Sequence, residues 1–495
     1  MHSPGLLVQL ASRLQRHVGL ALRPGEVMDH KGFSTDGKLL FALLALILLG
    51  PYLPILALAR VVGVDIADNQ IDARLDHLVL PLAAVYFLVR SLMTNRLIFP
   101  IHLIWYAAFL SWISLVTLFW WSNMPDDFSE VSRGVGLLRS VDAYGRPAAV
   151  LLIAANVRIT RRDFILLVRL TLGVGLLLGI IAAGQLLELV DGPVNRFLFD
   201  YYDNNPGNHF WDLIIYGGRV AAFMPQLSTL GMYVVLGFGL LAAQLMGGRA
   251  VKSAVIFGLL AGGIFLAGIL SGSKVFVGGT VMLLVGVIFL FRSVRRDSVL
   301  KIMAGVIAIP LVFFASSEMF PRQTEGFVGV AIPRPPQSDD SSGIYDEYVH
   351  RFYVVYLASR FDTTDGKVFR TGAMSIASRF PITGLGMNVV HRTTDSLALG
   401  IFIMGGAIGS GLYLGALAAM GFGLLRIAKN AVDPESAGMA KVLLLLTFIF
   451  LVMSIGFHTF IQDRAGDAYW LLAGLMVGPM NSIAPSQSMT RSVNS

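Results

Sequence analysis

Cysteine is missing from all 495 residues, and only 14% of them carry a charge. The first absence removes disulfides, thiolate nucleophiles and thiolate metal sites from the possible chemistry, without saying which compartment any loop faces. The second lies far below the roughly 25% charge of a soluble globular domain. A paired-carboxylate metal motif is also missing, so the sequence requires no metal. The N-terminus lacks the short charged, apolar and small-residue pattern of a cleaved signal. There "PGLLVQLASRLQRHVGLAL" is weakly amphipathic and basic, which suits a segment lying along the inner membrane surface.

Apolar residues dominate instead. They make up 55% of the chain, and the mean hydropathy is +0.70. The net charge of +7 is no nucleic-acid signal, because the bases fall in short clusters between apolar runs, as in cytoplasmic membrane loops. The runs approach the roughly 20 residues that a spanning helix needs, whereas a barrel would alternate in shorter pieces. An all-α polytopic bundle of about twelve spans is expected. These run near 39–59, 75–92, 97–121, 137–157, 164–190, 221–245, 251–270, 275–291, 302–317, 397–425, 442–457 and 468–480.

The order of charges fits that alternation. With the N-terminus inside, the inner segments hold Arg13, Arg16, Arg23, Lys31 and Lys38, then Arg90 and Arg96, Arg158, Arg161 and Arg162, Arg249 and Lys252, Arg292, Arg295, Arg296 and Lys301, and Arg426, Lys429 and Lys441. The outer loops receive Asp65, Asp68, Asp72 and Asp76, then Asp126, Asp127 and Glu130. The positive-inside rule therefore divides the chain into a cytoplasmic basic segment (1–38), nine spans (39–317), a large and partly helical external loop (318–396), three further spans (397–480) and a cytoplasmic tail (481–495). Both termini are expected on the cytoplasmic side and the large loop on the opposite side.

Three bases far apart in sequence are expected at one external face: Arg219 in "YGGRVAAF", Lys274 in "ILSGSKVFVGG" and Arg370 in "KVFRTGAM". Together they can neutralise a phosphate or pyrophosphate whose lipid tail stays in the bilayer. Singly, each is equally explained by snorkelling or a local ion pair. Inside the fourth span, Arg139, Asp142 and Arg146 are spaced for one helix face and would avoid lipid, either as a structural ion-pair network or as part of a substrate groove. Late in the chain, "ITGLGMNVVHRTTDS" places His391 and Asp395 just before an apolar run, where Asp395 also suits a helix N-cap. The glycines of "GGAIGSGLYLG" suit close helix packing, and "PITGLG" suits a turn.

The pattern "RTGAMSIASRFPITGLGM" followed by "DSLALGIFIMGGAIG" resembles the core of the O-antigen polymerase and O-antigen ligase superfamily. Arg370, Pro381, Gly384, Gly386, Asp395, Ser396, Gly406 and Gly409 occupy the matching places. Arg219 before Pro225, and Ser273 with Lys274, resemble the family's earlier basic positions. Two departures stand out. Lys274 replaces the usual arginine, keeping charge but losing the bidentate fork. Asp395 stands where ligases carry a histidine, which favours a polymerase-like enzyme.

The resemblance implies metal-independent glycosyl transfer without a cofactor, between polyprenyl-pyrophosphate-linked oligosaccharides serving as donor and acceptor. Arg219, Lys274 and Arg370 would hold pyrophosphate, and Asp395 or His391 would take the acceptor hydroxyl's proton. Membrane lipids, a chain-length regulator and a flippase are the implied partners, with no nucleic acid. Ligase-like transfer to another acceptor is the nearest alternative, and transport of a glycan is a different class that the intramembrane charges also allow. The charge alternation makes a direct prediction: in intact cells with the inner membrane exposed, cysteines introduced near Asp339 and Asn388 should react with an impermeant maleimide, while those near Arg295 and Arg426 should not. Labelling of both sets from one side would reject the layout.

Overall fold

The computed structural model describes residues 34–50, 75–121, 133–187, 222, 224, 226–246, 254–290, 380–387, 396–431, 433–461 and 464–478. These form an all-α bundle: α1 Thr35–Leu49, α2 Leu75–Met93, α3 Ile101–Trp120, α4 Arg133–Asn156, α5 Arg161–Leu187 and α6 Leu227–Met246. They continue with α7 Ala254–Ser271, α8 Lys274–Leu290, α9 Leu397–Asn430, α10 Pro434–Met453 and α11 Ala465–Val477. A 3-10 turn, Thr459–Ile461, precedes α11.

Among the described residues, six helices (α2, α3, α5, α6, α9 and α10) are long and apolar enough to cross a membrane, and three shorter ones are apolar. This corrects the expected count of about twelve spans. The polar face of α4 lowers its hydropathy, α1 is 15 residues long, and the expected ninth span (302–317) lies outside the described residues. The eleventh expected span, 442–457, is also displaced. Its helix begins at Pro434 because Asp433 caps it, accepting from the Ser436 amide at 2.9 Å, a polar start that hydropathy misses.

Large apolar side chains face outward along the bundle, including Leu82, Leu118, Val255, Phe289 and Phe422. Such an apolar exterior fits lipid as the solvent. Inside, α5 and α7 approach so closely that a methyl group at Gly179 would lie 2.0 Å from the Gly263 carbonyl oxygen, the small-residue packing that membrane helices favour. An aromatic cluster fills the centre, with Phe109 on Tyr413 at 5.2 Å and Tyr106 on Trp470 at 5.7 Å between ring centroids.

Polar contacts collect at the two ends of the bundle. At the basic end, buried Asp36 accepts from the Arg90 guanidinium and the Arg158 amide. Asp163 joins the starts of α1 and α5, accepting from Ser34 and from the Thr160 amide. Arg161 pairs with Asp433 and Glu435. Burial raises the Asp433 carboxyl, but its Ser436 hydrogen bonds and Arg161 outweigh that and leave its pKa below the ordinary value.

The turn "PITGLG" plugs a break in α9. Gly406 has φ 59° and ψ −158°, so the helix interrupts its own ladder there. The Ile403 and Met404 carbonyls accept from the Leu385 and Gly386 amides, both at 2.8 Å. On the far side of the break, the Ala407 and Ile408 amides donate to the Pro381 and Ile382 carbonyls at 2.8 and 3.3 Å. The Trp112 indole closes the Gly405 carbonyl at 2.9 Å, and the Trp120 indole that of Gly384 at 3.1 Å. Gly405 and Gly409 also pack on Trp112, as the expected close packing required; the broken backbone at Gly406 is additional.

Gly406 and Gly384 both have positive φ, and a methyl group would meet the Ile382 carbonyl at 2.3 Å or the Met404 carbonyl at 2.4 Å. Gly406→Ala should therefore destabilise the protein by more than about 2 kcal/mol. Gly411→Ala, with no neighbour within 4 Å of the added carbon, should be neutral or slightly stabilising. Thermal unfolding in detergent measures both, and equal losses would count against the plug as a stabilising element.

Candidate functional site

A second set of charged residues within helices lies toward the end opposite the basic one. Arg146 of α4 is buried, 3% exposed, and must find partners, because an uncompensated charge there would be prohibitive. Its Nη1 lies 3.0 Å from His77 Nε2, 3.9 Å from Asp467 Oδ2 and 4.0 Å from Asp142 Oδ2. Its Nη2 donates to the Ile461 carbonyl at 3.4 Å. A guanidinium only donates, so Nε2 of His77 accepts and the ring is neutral with its proton on Nδ1. That nitrogen faces Asp142 Oδ2 at 3.5 Å.

Behind Arg146, Asp467 sits in the first turn of α11 and accepts from the Arg464 amide at 3.3 Å. Arg464 is fully buried and has φ 66°. Its guanidinium donates to the Leu48 and Gly50 carbonyls, each at 2.9 Å, closing the C-terminus of α1. Buried arginines and aspartates thus alternate from the end of α1 to α4. Asp142, with 34% of its side chain exposed, is the member that reaches outward.

Among the groove residues read from sequence, Asp142 and Arg146 do meet, and they join one network. Arg139 lies on the same helix, with its side chain outside the description. Lys274 is the first residue of α8, likewise described only in its backbone; Ser273 before it is buried and accepts from the Val275 amide at 3.2 Å. Arg219, Arg370, His391 and Asp395 lie outside the described residues.

Both flanks of the 388–395 segment are nevertheless fixed. On one side the Met387 carbonyl accepts from Ser140 of α4 at 2.8 Å, and the Met387 amide donates to Thr117 at 2.8 Å. On the other, Ser396 caps α9 and donates to the Ser454 carbonyl at 3.2 Å. Ser454 in turn lies 2.6 Å from Thr459, in the 3-10 turn whose Ile461 carbonyl serves Arg146. Gly279 of α8 packs near Met453, so the start of α8 shares this end.

Sequence reading missed His77, Arg464 and Asp467. The last two carried a signal, a pair three residues apart opening an apolar run, while His77 carried none beyond its place at the start of α2. Among the described residues, no group of three or more His, Asp or Glu side chains is placed to hold a metal ion. Compared with family models and with curated proteins, the chain finds no match. The resemblance to the polymerase and ligase superfamily therefore rests on the motif residues themselves.

Breaking a buried ion pair costs more than removing both partners. Asp467→Leu should cost about 3–5 kcal/mol, and Arg146→Met a similar amount. The double variant should lose less than the sum of the two. Thermal unfolding of the three proteins in one detergent measures the coupling; strict additivity would reject it.

Proposed function

We propose that the chain is a repeat-unit polymerase, joining polyprenyl-pyrophosphate-linked oligosaccharides by glycosyl transfer at the outer face of a bacterial inner membrane. The observation that carries this reading is a convergence. The two flanks of the segment bearing His391 and Asp395, the start of α8 at Lys274, and the Asp142–Arg146 network all belong to the end of the bundle opposite the bases. By the positive-inside rule the basic end faces the cytoplasm, so that end faces outward, with the large loop.

The acceptor's hydroxyl oxygen attacks C1 of the donor sugar as the bond from C1 to the pyrophosphate oxygen breaks. The hydroxyl proton passes to Asp395 or His391. Polyprenyl pyrophosphate leaves with the bonding electrons, its charge met by Arg370, Lys274 and Arg219. Lysine at 274 supplies attraction without bidentate geometry.

Purified protein incubated with a defined lipid-linked repeat unit should yield a ladder of products by chain length. One transfer to a different acceptor would instead indicate ligase chemistry, and movement across a vesicle without covalent change would indicate transport. Asp395→Asn should slow single-turnover transfer by about a hundredfold or more while sparing donor affinity. Arg370→Gln should weaken donor binding strongly. Near-normal transfer by Asp395→Asn would end its role as base, and a severe transfer defect in His391→Ala with intact donor binding would move the role there.

A further inference from the structure

The basic end of the bundle holds a cluster that glycosyl transfer at the outer face does not use. Arg96 follows the C-terminus of α2, and Arg158 follows that of α4. Reciprocal hydrogen bonds join these two connections: the Ile98 amide donates to Asn156 Oδ1 at 2.9 Å, and Asn156 Nδ2 donates to the Ile98 carbonyl at 3.2 Å. Each arginine stands two residues from that junction, Arg96 before Ile98 and Arg158 after Asn156. Arg90, in the last turn of α2, is drawn in through Asp36, whose carboxylate accepts from the Arg90 guanidinium and from the Arg158 amide.

Charge at this junction is unbalanced. Asp36 is buried, and both of its oxygens are already engaged. Arg96 and Arg158 are exposed, and neither guanidinium has a hydrogen bond or ion pair among the described residues. A base beyond a helix C-terminus complements the helix dipole, which accounts for each arginine singly but not for their gathering. The Arg158 guanidinium is held below its ordinary pKa by partial burial, and then by repulsion from Arg96 and Arg90, against the weaker pull of Asp36. A bound anion relieves that repulsion, and guanidinium forks match the oxygens of a phosphate.

The rim decides which anion. Around the arginines the surface is apolar, with Met93 81%, Ile101 54% and Phe99 41% exposed. Farther from the end, Val85 and Val89 of α2 and Ile104 of α3 continue it outward along two apolar spans that both pack on α4. A free phosphate gains nothing from such a surface. A phospholipid lays its acyl chains along it while its headgroup meets the arginines, as basic pockets between membrane helices allow.

We propose that Arg96 and Arg158 bind the phosphodiester of an anionic phospholipid of the phosphatidylglycerol type, with its acyl chains on the apolar surfaces of α2 and α3 and Asp36 fixing the arginines from beneath. The site is independent of the polymerase reading and survives its failure.

The test uses the full-length protein, stripped of lipid in detergent and titrated with phosphatidylglycerol, the bound lipid being counted by native mass spectrometry. In the double variant Arg96→Gln, Arg158→Gln the affinity of the tightest site should fall about tenfold or more, as expected for lost charge-assisted contacts. The charge-matched double variant Arg426→Gln, Lys429→Gln, altered at exposed bases of α9, should stay within about twofold of the wild type. The cysteine-free chain permits a check that leaves the arginines in place. In nanodiscs, alkylation of Phe99→Cys by a maleimide should be slower with phosphatidylglycerol than with phosphatidylcholine alone, while Phe422→Cys should be indifferent to the exchange.

Equal losses in the two double variants overturn the site in favour of diffuse attraction to the basic end. Equal affinity of the wild type for phosphatidylcholine overturns it in favour of chain packing without headgroup recognition. Displacement of phosphatidylglycerol by equimolar glycerol 3-phosphate overturns the lipid in favour of a soluble phosphate. If the variant lacking both arginines fails to insert, Phe99→Cys decides alone: an alkylation rate that ignores phosphatidylglycerol, or changes as much as that of Phe422→Cys, rejects the site.

Discussion

In lipid a backbone amide or carbonyl has no water to fall back on, and the break in α9 has to be repaired from within the protein. The repair comes from Pro381–Gly386, whose own amides and carbonyls substitute for the missing rungs on both sides of Gly406. One loop thereby becomes part of a helix ladder. Trp112 and Trp120 tie the same junction to α3, and Met387 continues from it to α4 through Ser140. The position of the chain that leads into His391 and Asp395 follows from this single requirement of backbone satisfaction.

The charged network obeys the same logic with side chains. Arg146 and Arg464 are both buried, and each is neutralised or capped by groups from another helix: Asp467 and His77 for one, the α1 carbonyls for the other. Such pairs add little net stability over an apolar core but are very costly to break. They fix the relative positions of α1, α2, α4 and α11, and leave one carboxylate, Asp142, facing outward on a rigid support.

The helical class was legible in composition and run length, because no other architecture tolerates so few charges among such long apolar stretches. The i, i+4 relation of Asp142 and Arg146 was legible too, since helix geometry alone puts them on one face. Their partners were not. His77 and Asp467 are distant in sequence from α4, and only packing brings them to it. Gly406 read as a packing glycine inside an apolar run, and nothing local distinguishes that from a helix break until the turn that fills the break is in place. The span count failed where polarity is internal to a helix, as in α4, or where a helix is short, as in α1 at 15 residues, while the cap at Asp433 moved only a boundary. Arg219, Arg370, His391 and Asp395 are read from their motif alone.

Arg464 carries one further implication, for how the protein is made. The carbonyls it closes belong to Leu48 and Gly50, near the other extreme of the chain, and ribosomes deliver these groups in order. The first helix enters the bilayer with its C-terminal carbonyls met by water, headgroups or the translocation machinery, and obtains its permanent cap only when the last described helix arrives. Closure of α1 therefore waits for the arrival of α11, and an assembly halted before Arg464 leaves α1 without this cap.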